Sequence, residues 1–236
     1  MADRVVTLSA DYRATLARRL GPLFRPPRTA VVPTGIDLSP YAGDRRAAAL
    51  GGTVRIGMAG RFSPTKAQQV LVSAPARLVV EYPDRDWLLS LAGDGTCLAA
   101  VSAAVSAAGL SDRVEMSGYI APDQLPDWFA SLDLYAHASD GETLSTSLLQ
   151  AMAAGVPIVA SDVAGISDLL GPPRLGAGRL VPARDVDAFT AALAADTGEL
   201  DTAIARATRA RAHVRECHSV EAMRAGYASL LEKVGR

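Results

Sequence analysis

The chain has 236 residues, 49% of them hydrophobic, and a formal net charge of −1. That length suits one domain of ordinary size with extra segments and a real core, and the near-neutral charge excludes the basic surface that nucleic-acid binding needs. The two cysteines, Cys97 and Cys217, lie far apart without CxxC or zinc-like spacing and read as reduced thiols of a cytoplasmic protein. No apolar run reaches the roughly 18 residues of a membrane span, and Asp3, Arg4 and Asp11 stand where a signal peptide would be apolar.

Taken in chain order, residues 2–20 read as a helix, with Val6, Leu8, Tyr12, Leu16 and Leu20 on one rough stripe. Gly21, Pro22, Pro26 and Pro27 end it. A short strand from Thr29 to Val32 leads into Pro33-Thr34-Gly35-Ile36-Asp37, and a polar connection follows as far as Gly51 and Gly52. Beyond that point short apolar runs alternate with long periodic segments. Strands are expected at Val54–Ala59, Trp87–Ala92, Val114–Gly118, Leu132–Ala138, Pro157–Ala160 and Arg179–Val181. Helices are expected at 64–82, 96–109, 122–131, 143–154, 185–196 and 199–213, with a last one at 219–233. Pro75 falls inside the first of these and removes a helix hydrogen bond, which predicts a kink near Ser73 or a helix broken in two. Strands that are apolar throughout and alternate with helices predict an α/β fold: a Rossmann-like parallel sheet, helices on both faces, right-handed crossovers.

In such sheets ligands bind beyond the carboxyl ends of the strands, so the turns there carry the functional reading. In Gly57-Met58-Ala59-Gly60-Arg61-Phe62-Ser63-Pro64-Thr65-Lys66, Arg61 and Lys66 flank the start of a helix. Two cations beside helix amides suit a diphosphate held without a metal; the same spacing also fits two solvated surface charges. Only Lys66 and Lys233 among the 24 basic residues are lysines, which singles out Lys66. The turn is neither a P-loop nor a GxGxxG fingerprint. Ala92-Gly93-Asp94-Gly95 reads as a structural strand-to-helix turn.

The stretch from Ser139 to Pro157 is the most informative. A polar loop leads into a helix that Gly155 caps, with the amides of Leu144 and Ser145 placed for a phosphate. A phosphate would repel Glu142, whose carboxylate suits neutral hydroxyls such as those of a sugar; the competing reading is an acid stabilised by the helix dipole. Gln150 both donates and accepts hydrogen bonds. His137 and Met152 read as packed core residues, and His213 and His218 form no metal-ligand spacing with Cys217, so no metal site is expected.

Five ordered features now resemble one family. They are Val31-Val32-Pro33-Thr34-Gly35-Ile36-Asp37, Gly60-Arg61-Phe62-Ser63-Pro64-Thr65-Lys66, Ala92-Gly93-Asp94-Gly95, Val114 to Gly118-Tyr119, and Glu142 to Gln150 followed by Ala-Met-Ala-Ala-Gly-Val-Pro. From about Val5 onward the chain resembles the C-terminal, donor-binding half of the retaining GT-B glycosyltransferases of group 1 (family 4-like). The resemblance implies that Arg61 and Lys66 neutralise the departing diphosphate and that Glu142 faces the donor sugar. It implies backbone contacts to phosphate from Leu144 and Ser145, a ribose contact from Gln150, and a base bordered by Gly118 and Tyr119; Gly60, Gly141 and Thr143 join the donor-binding set. The substrate is then a nucleoside diphosphate sugar, with no further cofactor and an acceptor of unspecified kind.

Three departures accompany the likeness. Gln150 stands where the family has a second glutamate, Thr34 where it has asparagine, and Ala67 where it has glycine. The implied division is 1–28 as the last helix and linker of an acceptor domain, 29–215 as the nucleotide-sugar domain, and 216–236 as a C-terminal helix. The rest of the acceptor domain is expected on another stretch of polypeptide or a partner chain, leaving this half weak or inactive alone. The alternative is a non-catalytic, degenerate partner subunit.

Overall fold

The computed structural model describes residues 4–21, 29–43, 52–170 and 176–234. The expected breaks at Pro22, Pro26 and Pro27, and most of the connection leading to Gly51, lie outside the described residues.

The chain begins differently from its helical expectation. Val5–Thr7 is a strand, β1, and the helix α1 spans only Ala10–Leu20. The β-branched Val5, Val6 and Thr7 prefer extended backbone, and Ser9 then starts the helix by accepting the Tyr12 amide at 3.1 Å. β1 pairs in parallel with β2 (Thr29–Val31) as a separate two-stranded sheet.

The main sheet has six parallel strands: β3 (Thr53–Ala59), β4 (Asp86–Ala92), β5 (Val114–Gly118), β6 (Leu134–His137), β7 (Ile158–Ser161) and β8 (Arg179–Val181). All six match expected runs to within about two residues at either end. Helices α2 (Gln68–Glu81), α3 (Leu98–Ala107), α4 (Leu125–Ala130), α5 (Thr146–Ala154), α7 (Val186–Gly198), α8 (Leu200–Cys217) and α9 (Val220–Val234) answer the expected helical segments. The short α6 (Ile166–Leu170) was not among them: its five residues are too few to establish a helical period. Pro75 does not divide α2, which runs as one helix through it, with the proline ring buried.

Strand alternation builds two cores. Val54, Ile56, Met58, Leu89 and Leu91 point to one face, under α2, α3 and α7. Tyr135, Ile158 and Ala160 point to the other, under α4, α5, α6 and α8. Strands sandwiched in this way must be apolar on both sides, which is why the sequence reads as continuous apolar runs.

The strand order is β5-β4-β3-β6-β7-β8. The chain therefore winds outward from β3 in one direction and from β6 in the other. The loops after β3 and β6 diverge above and below the sheet, leaving a crevice between them at the switch point. Those are the loops that carry Arg61 and Lys66 on one side and Glu142 on the other.

Candidate functional site

A cleft of about 510 Å³ opens at this switch point. Gly60, Arg61, Lys66, Tyr119, Glu142, Leu144, Ser145 and Gln150 line it. Gly118 ends β5 beneath Tyr119 and is not part of the lining; its carbonyl accepts the Gly93 amide at 2.6 Å. Gly141 and Thr143 face away, into a second depression against Ser9, Tyr12 and Thr15 of the α1 region. Glu142 borders both spaces.

Local contacts explain how the loops are held. The Ala92-Gly93-Asp94-Gly95 turn is a seat for the β3–α2 loop: the Gly60 amide donates to the Ala92 carbonyl at 2.9 Å and the Phe62 amide to the Asp94 carbonyl at 2.9 Å. A Cβ on Gly93 would stand 2.1 Å from the Gly60 carbonyl oxygen, and its φ of 133° also excludes other side chains. The β6–α5 loop is tied to the β3–α2 loop through the Thr65 carbonyl, which accepts from the Asp140 amide at 2.9 Å and the Ser139 hydroxyl at 3.1 Å. Asp140 in turn holds the Arg184 guanidinium, with Nε to Oδ1 at 2.8 Å.

The charged centre of the cleft is the pair between the Lys66 ammonium and the Glu142 carboxylate. Both are largely shielded, with side chains 16% and 12% exposed. The Glu142 Oε1 also lies 3.2 Å from His137 Nε2 and 3.3 Å from the Ser139 hydroxyl. Burial favours the neutral acid, but the hydrogen bonds from His137 and Lys66 outweigh it and bring the Glu142 pKa down to about 2. Glu142 is therefore a carboxylate at neutral pH. An ammonium has three donors, so pairing with Glu142 leaves Lys66 donors for a second anion. Arg61, exposed at the rim, adds a second cation.

Helix α5 begins three residues later than expected, at Thr146. Ser145 is its N-cap, the Oγ accepting the Leu148 amide at 3.4 Å. The first helical amides are thus those of Thr146 and Ser147, which also line the cleft. First-turn amides have no carbonyl partner within the helix and carry the positive end of its dipole. Gly155 closes the helix in the left-handed conformation, with φ 70°. At the far end of the cleft Gln150 hydrogen-bonds the Tyr41 phenol, whose pKa burial pushes up to about 12 against that bond.

Sequence reasoning passed over Thr146, Ser147 and Ile120, all of which line the cleft. The hydroxyl residues follow directly from moving the helix start. It also passed over Gly165, whose φ is 82° and whose Cβ would lie 2.1 Å from the Glu142 carbonyl oxygen; a lone glycine between strands gives no sign of which loop presses on it. His137 is fully buried, as expected of a core residue, yet it stands in a polar network. His213 and His218 stack edge to face, their centroids 5.7 Å apart, away from this cleft.

Residues 53–195 match the profile of the family described as Glycosyl transferases group 1. The chain is 33% identical over 247 residues to D-inositol 3-phosphate glycosyltransferase of Nocardia farcinica, covering 98% of this chain and 53% of that protein. The chain thus spans about half the length of that relative. Its fold is similar to that of HepE from Anabaena, solved in complex with UDP and glucose, with a TM-score of 0.84, 22% identity, and coverage of 98% of this chain and 63% of that one. It is also similar to the C-terminal domain of LpcC, a glycosyl transferase group 1 family protein from Francisella tularensis, with a TM-score of 0.67, 23% identity, and coverage of 79% of this chain and all of that one.

Proposed function

From the premise that this chain belongs to the Glycosyl transferases group 1 family, we propose that it is the donor-binding half of a retaining glycosyltransferase that takes a nucleoside diphosphate sugar. One observation carries the reading: Arg61, Lys66, Glu142, Gln150 and the first turn of α5 line a single cleft at the switch point of a parallel sheet. The structural neighbour from Anabaena, crystallised with UDP and glucose, supports it by analogy of fold.

In this proposal the diphosphate lies against the α5 N-terminus, between Arg61 and Lys66. As the glycosidic bond to the nucleotide breaks, negative charge grows on the departing phosphate. Two cations and the α5 dipole stabilise that charge as it develops; such electrostatic stabilisation is worth several kcal/mol of barrier. Glu142 accepts hydrogen bonds from the sugar hydroxyls. Lys66 bridges the two regions through its remaining donors. Gln150 and Tyr41 border the ribose end with neutral groups, and Tyr119 covers the base. The chemistry assigned to these residues needs no metal. The β1 and α1 segment belongs to an acceptor-side body, separate from the six-stranded sheet, and the acceptor reaches the sugar from that side.

The test is calorimetry of the purified chain with UDP, GDP and ADP. One of them should bind, and Lys66→Ala should weaken that binding about tenfold or more, the loss expected of a charged hydrogen bond. An unchanged dissociation constant removes Lys66 from the site. Failure of all three nucleotides to bind favours the other reading, a degenerate partner subunit, to which the neutral Gln150 lends some support.

A further inference from the structure

The imidazole behind Glu142 is buried and is not itself part of the cleft lining. His137 sits on β6, fully shielded from solvent. Its Nε2 faces Glu142 Oε1 at 3.2 Å, and its Nδ1 faces the Tyr135 hydroxyl at 3.2 Å. Tyr135 is itself fully buried, within reach of the Ala59 carbonyl at 3.1 Å and in hydrogen-bond contact with Ser147, which returns to the cleft at the α5 N-terminus. The polar chain thus runs from Ser147 through Tyr135 and His137 to Glu142. A residue meant only to fill space at this position would be aliphatic or aromatic, since a buried polar ring is costly unless every polar atom is matched.

From this geometry we infer that His137 is a positioning residue: in its neutral, Nε2-protonated form it anchors the Glu142 carboxylate so that the carboxylate stays in place for the sugar hydroxyls when Lys66 engages an anion in the cleft. The inference rests on the donor-site reading given above. A carboxylate only accepts hydrogen bonds, so the proton must lie on His137 Nε2. Nδ1 is then an acceptor, and the single Tyr135 hydroxyl proton is shared between it at 3.2 Å and the Ala59 carbonyl at 3.1 Å. The Lys66 ammonium lies 3.5 Å from Nε2, and a neutral ring does not repel it. Burial and the Lys66 charge both disfavour an imidazolium, against the pull of Glu142. Without the imidazole, Glu142 would depend on Lys66 and the Ser139 hydroxyl. When Lys66 turned to a phosphate, the carboxylate would lose its main hold.

Two measurements on the whole chain test this. The first needs no ligand: ¹⁵N-labelled histidine read by NMR, with the His137 signals assigned as those missing from His137→Phe. The chain has three histidines, so the assignment is direct. A bare Nδ1 and a protonated Nε2 are expected at pH 7 and above; an Nδ1-protonated ring or an imidazolium at pH 7 overturns the inference. The second is calorimetry with UDP and with UDP-glucose. His137→Phe should weaken UDP-glucose about tenfold and leave UDP within about twofold, because the anchored carboxylate serves the sugar and not the diphosphate. His137→Gln, whose amide can still donate to Glu142, should restore most of the loss. Equal weakening of both ligands marks a general structural role and overturns the inference, as does no change in either. If the unaltered chain binds none of UDP, GDP, ADP and UDP-glucose, the donor-site reading falls first and the assigned role of His137 falls with it, whatever its tautomer.

Discussion

At the scale of single residues, the cleft is organised around one shielded carboxylate. Glu142 is held ionised by His137 and Lys66 against the cost of its burial. Its folded pKa of about 2 lies below the ordinary 4.5, so the folded state favours the deprotonated form. The stability this contributes is fully present above about pH 4.5 and is lost as pH falls toward 2. His137 acts in the same sense: burial holds its pKa below the ordinary 6.5, so protonation of the unfolded chain begins to weaken the fold below that value. Chemical denaturation at pH 5 and pH 3 should therefore show a larger drop for the native chain than for Glu142→Gln, which has no carboxyl to titrate there. Equal drops would mean that the Glu142 environment does not carry the acid sensitivity. Lys66→Ala, tested by nucleotide calorimetry, probes the other member of the pair.

At the scale of elements, helix starts and glycine contacts place the reactive loops. Ser145 caps α5 inside the cleft, while Asp185 caps α7 outside it through a 2.9 Å bond from the Ala188 amide. Replacing either by alanine should cost about 1 kcal/mol of stability, the ordinary worth of an N-cap. Only Ser145→Ala should also weaken nucleotide binding, because only that helix points its first amides into the cleft. Thermal melts with and without nucleotide separate the two effects. Gly165 is the second element-level device. Its backbone lies in the left-handed region and presses on the Glu142 carbonyl. Gly165→Ala should lower stability by about 1–3 kcal/mol and displace the Glu142 loop, read as a lower melting temperature together with weaker UDP-glucose binding.

At the scale of the whole molecule, the site exists because strands distant in sequence become neighbours. A nucleotide seated at the switch point should slow amide hydrogen exchange at residues 60–68 and 139–150, and leave β1 and α1 unchanged; protection spread evenly along the chain would place the ligand elsewhere. Much of this architecture was legible beforehand. The six main strands and the long helices follow from hydrophobic period and turn residues, which are local properties of the chain, and the motif order pointed to the family to which residues 53–195 belong. The errors were local too. Val5–Thr7 joined a strand because β2, more than 20 residues away, offers it a partner, and α5 starts at Thr146 because Ser145 turns its hydroxyl back onto the helix. What the sequence determined by itself was which segments are strand or helix and which residue types could handle a phosphate or a sugar, since period, charge and hydrogen-bonding capacity are written residue by residue. Only the tertiary structure decided that Lys66 and Glu142, 76 positions apart, form one ion pair, that His137 stands behind them, and that Gly141 and Thr143 face the other way. Those facts depend on the order in which strands pair and on which face of a loop is covered, and both are set by the packing of the whole molecule.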